Sequence, residues 1–186
     1  MPQVRRPRLF QNRGFSLLEL LIVIIIISTL LGFAIDRLLK LQVQAERSSL
    51  EGMVGIMQSA IALTISEHIV KNKIPALAEY VDSNPMTLLT DPPGNYLGHF
   101  DGRPKNLETA SWWYDQNSNS LCYYVLNHEY FINESSDKRV IKFKILAVYD
   151  DNNNNGQFDN ADTLVGLRLA PDAKYRWSNE SMEPDA

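Results

Sequence analysis

The chain contains one cysteine, Cys122, among its 186 residues, so it cannot form an intrachain disulfide. Because Cys122 lies within the apolar run 121–126, we predict a small core side chain, with a reactive or intermolecular thiol as the alternative. The three histidines, His68, His99 and His128, are far apart and lack metal-binding spacing. The sequence also lacks a phosphate-binding glycine loop, a nucleophile elbow and a zinc pattern. These absences predict a protein that is not an enzyme and takes no small-molecule substrate.

Proline is missing from residues 15 to 74, so no proline interrupts a helix there. The first part of this stretch, residues 15–35, is an apolar run of 21 residues whose only charge is Glu19. At about 1.5 Å per residue the run spans about 30 Å, the thickness of the hydrocarbon core of a bilayer. We therefore predict a transmembrane helical segment. Gly32, its only helix breaker, is either a small residue for close helix packing or a point of local softening.

The same helix is predicted to continue as an amphipathic segment over residues 36–72. Apolar side chains recur there at spacings of three and four, the pattern of a helix with one buried face. This stripe consists of Leu50, Met53, Val54, Met57, Ile61, Ile65 and either His68 or Ile69. The charged residues of the segment, Glu46 included, are expected on solvated faces.

Charge is distributed unevenly along the chain. Residues 1–14 hold four arginines and no acidic residue, so the remainder of a chain with a net charge of −4 carries −8. An acidic body argues against binding nucleic acid in bulk, although it does not exclude a local patch. Since the arginines precede the apolar run, the positive-inside rule places residues 1–14 in the cytoplasm and the body outside. The run is too long for an ordinary secretory signal and lacks its small-residue cleavage site.

The carboxylate of Glu19 is unusual because it stands near the start of an apolar helix. An ionised acid costs about 2.5–3.5 kcal/mol at the centre of a membrane helix and somewhat less near the interface. Either Glu19 reaches the headgroups by snorkelling, or a cation pairs with it. We favour a cation partner, since acids within membrane segments are functional by default.

Glu19 belongs to the sequence Arg13-Gly14-Phe15-Ser16-Leu17-Leu18-Glu19, which follows a short basic segment and precedes an unbroken apolar run. This arrangement closely resembles the processing site of type IV pilins and of the pseudopilins of type II secretion. The resemblance implies a leader peptide at 1–14, cleavage between Gly14 and Phe15 by prepilin peptidase, N-methylation of Phe15, and a role for Glu19 in assembly. Cleavage creates an α-ammonium with an ordinary pKa of about 7.7–8.0, a natural partner for Glu19 within one subunit or between neighbours.

The resemblance also implies partners and a location. The partners are other pilin or pseudopilin subunits, prepilin peptidase and the bacterial inner membrane, which the chain crosses once with its C-terminal domain in the periplasm. Assembly would carry it into a periplasmic or extracellular filament. Two departures from major pilins favour a minor pilin or a pseudopilin: the chain lacks a C-terminal disulfide, and Asp36 stands where major members carry a helix-kinking proline. The alternative is a membrane-anchored periplasmic calcium-binding module that does not assemble into filaments.

The remaining sequence predicts the rest of an α+β domain. Prolines and glycines are concentrated in residues 73–111, a variable connecting segment with short helices near 75–81 and 85–89, the second capped by Asn84. Residues 112–186 have the patterns of antiparallel strands, at 112–115, 121–126, 140–149, 163–169 and 174–177. We predict a pilin fold, in which the long helix packs on a small antiparallel sheet within a globular domain of approximately residues 41–186.

A loop rich in Asn and Asp separates the strands predicted at 140–149 and 163–169. Its residues match the ligand spacing of an EF-hand: oxygen-bearing side chains stand at positions 1, 3, 5, 9 and 12, with glycine at position 6. The predicted Ca²⁺ ligands are Asp151, Asn153, Asn155, the carbonyl of Gln157, Asp159 and Asp162. The alternative is an ordinary hairpin loop, because these residues favour turns for local reasons.

Overall fold

The computed structural model describes residues 15–178, so the predicted leader lies outside the described residues. The chain divides into two compact units, Met1–Leu41 and Gln42–Ala186. One α-helix, α1 (Leu17–Val70), runs through the boundary between them. The absence of proline from residues 15–74 thus has its predicted consequence, a single long helix.

Within the first unit, the part of α1 between Leu20 and Ile35 carries no charged residue. Its most apolar window has a mean hydropathy of 2.7 with none of its residues buried, and its length and composition would allow it to cross a membrane. The hydroxyls of Ser28 and Thr29 donate to the carbonyls of Ile24 and Ile25, at 2.7 and 2.9 Å. These polar groups are therefore satisfied inside the helix, as an apolar solvent requires.

Within the second unit, one face of α1 is buried. Val43, Leu50, Met57 and Ile61 form the buried stripe, with Met53, Val54 and Ile65 partly buried beside it, which confirms the predicted amphipathic pattern. His68 and Ile69 are the two candidates for the last residue of this stripe. His68 is half-buried, with its ring 5.5 Å from that of Tyr80, whereas Ile69 is exposed. Glu46 is buried on this same face, so the expectation of a solvated position for it is wrong.

Two 3-10 helices, Ile74–Tyr80 and Pro85–Leu88, follow α1 at the places where short helices are predicted. Each has proline in its first turn, where the missing N–H costs nothing. The side chain of Asn84 accepts the backbone N–H of Met86 at 3.0 Å, which confirms the predicted cap.

Seven strands follow within residues 15–178. They are β1 (Tyr96–Phe100), β2 (Trp112–Asp115), β3 (Ser120–Tyr124), β4 (Phe131–Asn133), β5 (Val140–Asp150), β6 (Thr163–Pro171) and β7 (Tyr175–Trp177). Five of them form a sheet of the order β1-β2-β3-β5-β6, in which β1 is parallel to β2 and all other neighbours are antiparallel. Strands β4 and β7 form a separate antiparallel pair.

This architecture is the predicted α+β arrangement and is consistent with the pilin fold, although the sheet is mixed rather than purely antiparallel. Strand β1 lies in the segment predicted to be connecting loop. It is an edge strand with a register irregularity between Tyr96 and His99, where Gly98 has a φ of 101°. A glycine-containing edge strand lacks the apolar alternation by which strands are predicted. Strand β4 has only three residues, too few to show the alternation of apolar and polar residues by which a strand is predicted.

The main core lies between the sheet and the buried face of α1. Strand β5, predicted at 140–149, contributes Ile141, Phe143 and Ile145, all buried, and leaves the alternate side chains Lys142 and Lys144 half-exposed. The strands predicted at 112–115 and 121–126 pair as the hairpin of β2 and β3, in which the rings of Trp112 and Tyr123 are 4.7 Å apart. Cross-strand packing of this kind stabilises sheets, and each pair contributes about 0.5–1.5 kcal/mol beyond burial.

The other face of the sheet has a smaller core of Trp113, Cys122 and Val140. Cys122 is buried, which confirms the prediction of a core side chain, and burial raises the pKa of its thiol to about 12. The group is therefore neutral and unreactive at physiological pH.

Candidate functional sites

The N-terminal end of α1 is capped by a serine. Phe15 and Ser16 are outside the helix, and the backbone N–H of Glu19 donates to Ser16 Oγ at 3.1 Å. This is the bond that an N-cap residue makes with the third residue of its helix, and serine followed by glutamate three residues later is the capping-box sequence. Gly14, the other residue of the predicted cleavage site, lies outside the described residues.

The structure places Glu19 in the first turn of α1, with its side chain exposed. A carboxylate there interacts favourably with the partial positive charge of the helix N-terminus, by about 0.3–1 kcal/mol at an exposed site. Glu19 thus has a local stabilising role in the single chain, and its predicted role in assembly stays a prediction. Gly32 has no atom within 4 Å of an added Cβ, so it has room for a neighbouring helix, and α1 is continuous through it.

An uncharged stripe runs along α1 opposite its buried face. Its members are spaced alternately by four and three residues, are all exposed, and alternate between small and larger apolar side chains over most of their length. The uncharged stripe consists of Ala45, Ser49, Gly52, Ile56, Ser59, Leu63, Ser66 and Val70. Leu63 is 68% exposed and Ile56 53% exposed, so these side chains are not covered within the chain.

The buried carboxylate of Glu46 is a site that sequence reasoning missed. Oε1 accepts from Tyr123 Oη at 3.1 Å and from the backbone N–H of Leu126 at 2.7 Å. Oε2 accepts the backbone N–H and the side-chain Nδ2 of Asn127, at 2.9 and 2.7 Å. Four donors therefore surround one carboxylate that is 7% exposed. Together with burial, the negative charge of Glu46 raises the pKa of Tyr123.

Glu46 connects α1 to the chain immediately after β3. The two backbone donors at Leu126 and Asn127 leave the sheet there, so neither has a strand partner. A carboxylate with two oxygens supplies the acceptors that these groups need when they lose water. The only feature of the sequence that could have indicated the burial of Glu46 is its position on the buried stripe, four residues before Leu50.

The predicted calcium loop is the connection between β5 and β6. Three of the predicted ligands meet at one point: Nδ2 of Asn153 and Nδ2 of Asn155 donate to Asp159 Oδ2, at 2.9 and 2.7 Å. Turning either amide about its last bond would direct its oxygen to the same point, since the two ends of an amide occupy nearly equal space. Gly156, at position 6, has a φ of 74°, the left-handed conformation that glycine adopts without strain.

The other two carboxylates of the loop accept backbone N–H groups. Asp151 accepts from Asn155 and Gly156, at 3.2 and 2.8 Å, and Asp162 accepts from Asn152 and Asp159, at 3.1 and 2.9 Å. Within residues 15–178, no three side chains of the His, Cys, Asp or Glu type are grouped closely enough to hold a metal. The donor set of a Ca²⁺ site is thus partly brought together at positions 3, 5 and 9, and the binding of calcium stays a prediction. The backbone N–H of Gln157 donates to Asn155 Oδ1 at 2.7 Å.

Hydrogen bonds also favour the charged form of Asp159. The backbone N–H of Ala161 and the amides of Asn153 and Asn155 lower the pKa of this carboxyl below its usual value. An aspartate is already ionised at neutral pH, as a cation ligand must be, and these hydrogen bonds favour that form further. The ring of the neighbouring Phe158 lies 5.2 Å from that of Tyr149 and fixes the loop to β5.

The histidines occupy three separate places, as their spacing predicts. Nδ1 of His68 lies 2.8 Å from the carbonyl oxygen of Thr64, Nε2 of His99 lies 3.2 Å from Asn84 Nδ2, and Nδ1 of His128 lies 3.4 Å from the carbonyl oxygen of Leu126. The contacts of His68 and His128 are local, whereas that of His99 joins β1 to the residue that caps the second 3-10 helix. Each is of the kind that orients a side chain within a fold.

Comparison with known proteins assigns the N-terminal part of the chain. Residues 9–35 match the family model of the prokaryotic N-terminal methylation motif. The chain is therefore of the class that carries this motif on a membrane-compatible helix, and the motif is the signature of type IV pilins and pseudopilins. The match covers the predicted cleavage site and the apolar run, a minor part of the 186 residues. No curated protein and no solved structure matches the chain.

Proposed function

We propose that this protein is a minor pilin or pseudopilin, a structural and non-enzymatic subunit of a type IV pilus or a type II secretion filament. Prepilin peptidase cleaves it after Gly14, Phe15 is N-methylated, and the mature subunit leaves the inner membrane to join other subunits. The observation that carries this proposal is the methylation motif at 9–35, which continues directly into α1. The missing disulfide and Asp36 favour a minor subunit or pseudopilin over a major pilin.

The uncharged stripe supports assembly as the purpose of the helix. Solvated helix faces usually carry charged residues, and the stripe carries none over 26 residues from Ala45 to Val70. Its small members, such as Gly52 and Ser59, permit close approach of another backbone. A subunit packed by its helix among other helices would bury this surface, whereas a free periplasmic module would leave it in water.

Processing is the first test. In cells that also express prepilin peptidase, the protein is expected to lose the mass of residues 1–14 and to gain one methyl group on Phe15, as read by intact mass and N-terminal sequencing. Hydrolysis of the Gly14–Phe15 amide consumes one water and leaves a carboxylate on Gly14 and an amine on Phe15. Gly14→Val places a branched side chain at the scissile bond and is expected to leave the full-length protein in the inner membrane.

Glu19→Val is the matched control for processing, because it changes the motif to the same residue on the far side of the cut. We expect it to be cleaved, since the carboxylate acts after cleavage. Normal maturation of Gly14→Val would show that the assigned bond is wrong. A wild-type chain that is never cleaved would contradict the proposed function itself and favour the anchored module.

We also propose that the β5–β6 loop binds Ca²⁺ through Asp151, Asn153, Asn155, Asp159, Asp162 and the carbonyl of Gln157. The convergence of Asn153 and Asn155 on Asp159 favours this second function. It is compatible with the filament subunit and is also the main property of the alternative, a membrane-anchored calcium-binding module. Three Asp and two Asn ligands resemble in charge the extracellular modules that bind with Kd values of about 10⁻⁴–10⁻³ M.

Thermal unfolding of the full-length protein in detergent micelles tests the calcium site. At a Ca²⁺ concentration of ten times Kd, binding stabilises the folded state by about 1.4 kcal/mol, a rise in Tm of about 3–6 °C. Magnesium is expected to do much less, because it demands octahedral geometry and releases its water reluctantly. Asp151→Ala and Asp162→Ala should each remove the calcium-dependent rise.

Asn160→Ala is the control within the same loop, because position 10 lies outside the ligand spacing. It should keep the calcium response. Melting curves that are the same in calcium and in chelator would reduce the loop to an ordinary hairpin connection, and the filament proposal would stand without it.

A further inference from the structure

We propose that Ser16 is a positioning residue for proteolytic processing. Its hydroxyl caps the N-terminus of α1, so that the helix begins two residues after the scissile bond and that bond stays outside the helix. The inference rests on the proposed cleavage between Gly14 and Phe15. Two observations carry it: the Glu19 N–H donates to Ser16 Oγ at 3.1 Å, and α1 begins at Leu17, so that Phe15 and Ser16 lie outside the helix.

A peptidase needs a peptide bond that is free of other contacts. In an α-helix the carbonyl oxygen of each bond accepts from four residues further on, and the side chains of the surrounding turn cover it. Cleavage by peptidases accordingly concentrates in segments outside regular structure. The first residue after the predicted cut, Phe15, is in such a segment, and its side chain is 69% exposed.

The sequence around the cut would allow α1 to extend over the scissile bond if the cap were absent. Leu17, Leu18 and Glu19 favour helix and a long apolar run follows them, so a helix that lost this cap could extend towards the N-terminus. The next capping-type side chain upstream is Asn12. A helix that began after Asn12 would contain both Gly14 and Phe15 in its first turn and would enclose the scissile bond. Gly14 opposes this extension through its low helix propensity, and Ser16 opposes it through the cap.

The size of the effect follows from capping. Replacing an N-cap serine by alanine typically shifts the helix equilibrium about fivefold, whereas asparagine caps as well as serine and threonine only slightly less well. Ser16→Ala is therefore expected to slow cleavage about two- to fivefold. Ser16→Asn and Ser16→Thr should be cleaved at close to the wild-type rate.

The experiment measures the rate at which full-length precursor, accumulated in membranes without peptidase, is converted after peptidase is added. The amount of precursor inserted in the membrane is measured first for each variant, and equal amounts show that expression and membrane insertion are unchanged. Ser28→Ala is the matched control: its hydroxyl also bonds within α1, to the carbonyl of Ile24, but far from the helix start. It should be cleaved like the wild type.

The asparagine variant separates capping from direct recognition. Asparagine keeps the cap and removes the hydroxyl, so a peptidase that reads the hydroxyl itself would cut Ser16→Asn as slowly as Ser16→Ala, and that result would overturn the inference. Wild-type cleavage of Ser16→Ala would overturn it too. Both outcomes leave the proposed function intact provided the wild type is cut after Gly14, whereas an uncut wild type contradicts the proposed function and with it this inference.

Discussion

Glu46→Gln is expected to destabilise the protein by about 1–3 kcal/mol, although glutamine has nearly the same size and shape as glutamate. The expected loss comes from a mismatch of donors and acceptors. Both oxygens of the carboxylate accept backbone N–H groups, from Leu126 and from Asn127. An amide has one oxygen, so in either orientation its NH₂ group faces one of these two N–H groups.

The other two donors around Glu46 can adjust, and the backbone cannot. The hydroxyl of Tyr123 can rotate to accept from the new NH₂, and the side chain of Asn127 can turn its own oxygen towards it. One backbone N–H nevertheless stays without a partner in a place that is largely closed to water. The free energy of unfolding therefore falls by the cost of one such donor.

Glu46→Ala removes both acceptors and is expected to cost more, about 3–5 kcal/mol. The measurement is thermal unfolding of the full-length protein in detergent micelles, followed by near-UV circular dichroism of the buried tryptophans. For a domain of this size each kcal/mol corresponds to about 2–5 °C in Tm. Tyr123→Phe, which removes only one adjustable donor, should cost about 1 kcal/mol.

Glu51→Gln is the matched control, because it makes the same change five residues further along α1. Glu51 pairs with Arg47 at 2.8 Å, and both side chains are more than half exposed. Such a pair contributes about 0.3–0.5 kcal/mol, so the control should melt within about 2 °C of the wild type. Equal melting temperatures for the two glutamine variants would contradict the role assigned to Glu46.

The contrast between these two glutamates explains what the sequence can predict. The period of the apolar residues along α1 predicts which face is buried, and Leu50, Met57 and Ile61 lie on it as expected. Glu46 lies on that face, but its charged side chain predicts an exposed position. Its burial depends on two N–H groups near the end of β3, eighty residues away in sequence, and no local pattern reports them.

The same distinction applies to the strands. Strand β5 is predicted because Ile141, Phe143 and Ile145 alternate with lysines, so the chain itself records which side faces the core. Strand β1 is formed by pairing with β2, a partner about fifteen residues away, and it carries Gly98 at its irregularity. Pairing of that kind is a tertiary interaction, and a glycine-containing edge strand leaves no period to recognise.

The candidate sites divide in the same way. Gly14, Phe15 and Glu19 can be proposed from the sequence because the N-terminal methylation motif is short and local, and such a motif needs no tertiary structure to be present. The cap by Ser16 is also local, and the spacing of Ser16 and Glu19 could have indicated it. The loop at 151–162 has the spacing of a calcium site, but which of its oxygens converge is set by the turn and not by the spacing.

Glu19→Val is expected to reduce incorporation into filaments at least tenfold while leaving cleavage intact. In the proposed mature subunit, Phe15 carries the α-ammonium and Glu19 the carboxylate, and both residues stand at the start of an apolar helix. In an apolar filament core an unpaired ammonium is unfavourable by at least the cost of a charge in a membrane helix, about 2.5–3.5 kcal/mol. Removing Glu19 leaves that charge without a partner, and this cost alone corresponds to more than a tenfold change in an equilibrium.

Sheared filaments from cells that carry the assembly machinery provide the measurement, as the ratio of filament-associated to membrane-bound subunit. Ser28→Ala is the control for polar substitutions in the same helix, because its hydroxyl is satisfied by Ile24 whether or not the subunit assembles. Glu19→Asp keeps the charge on a shorter side chain and should assemble better than Glu19→Val. If Glu19 only snorkelled to the headgroups, valine would make the helix more soluble in lipid without cost to assembly, and normal incorporation of Glu19→Val would show that the carboxylate has no partner in the filament.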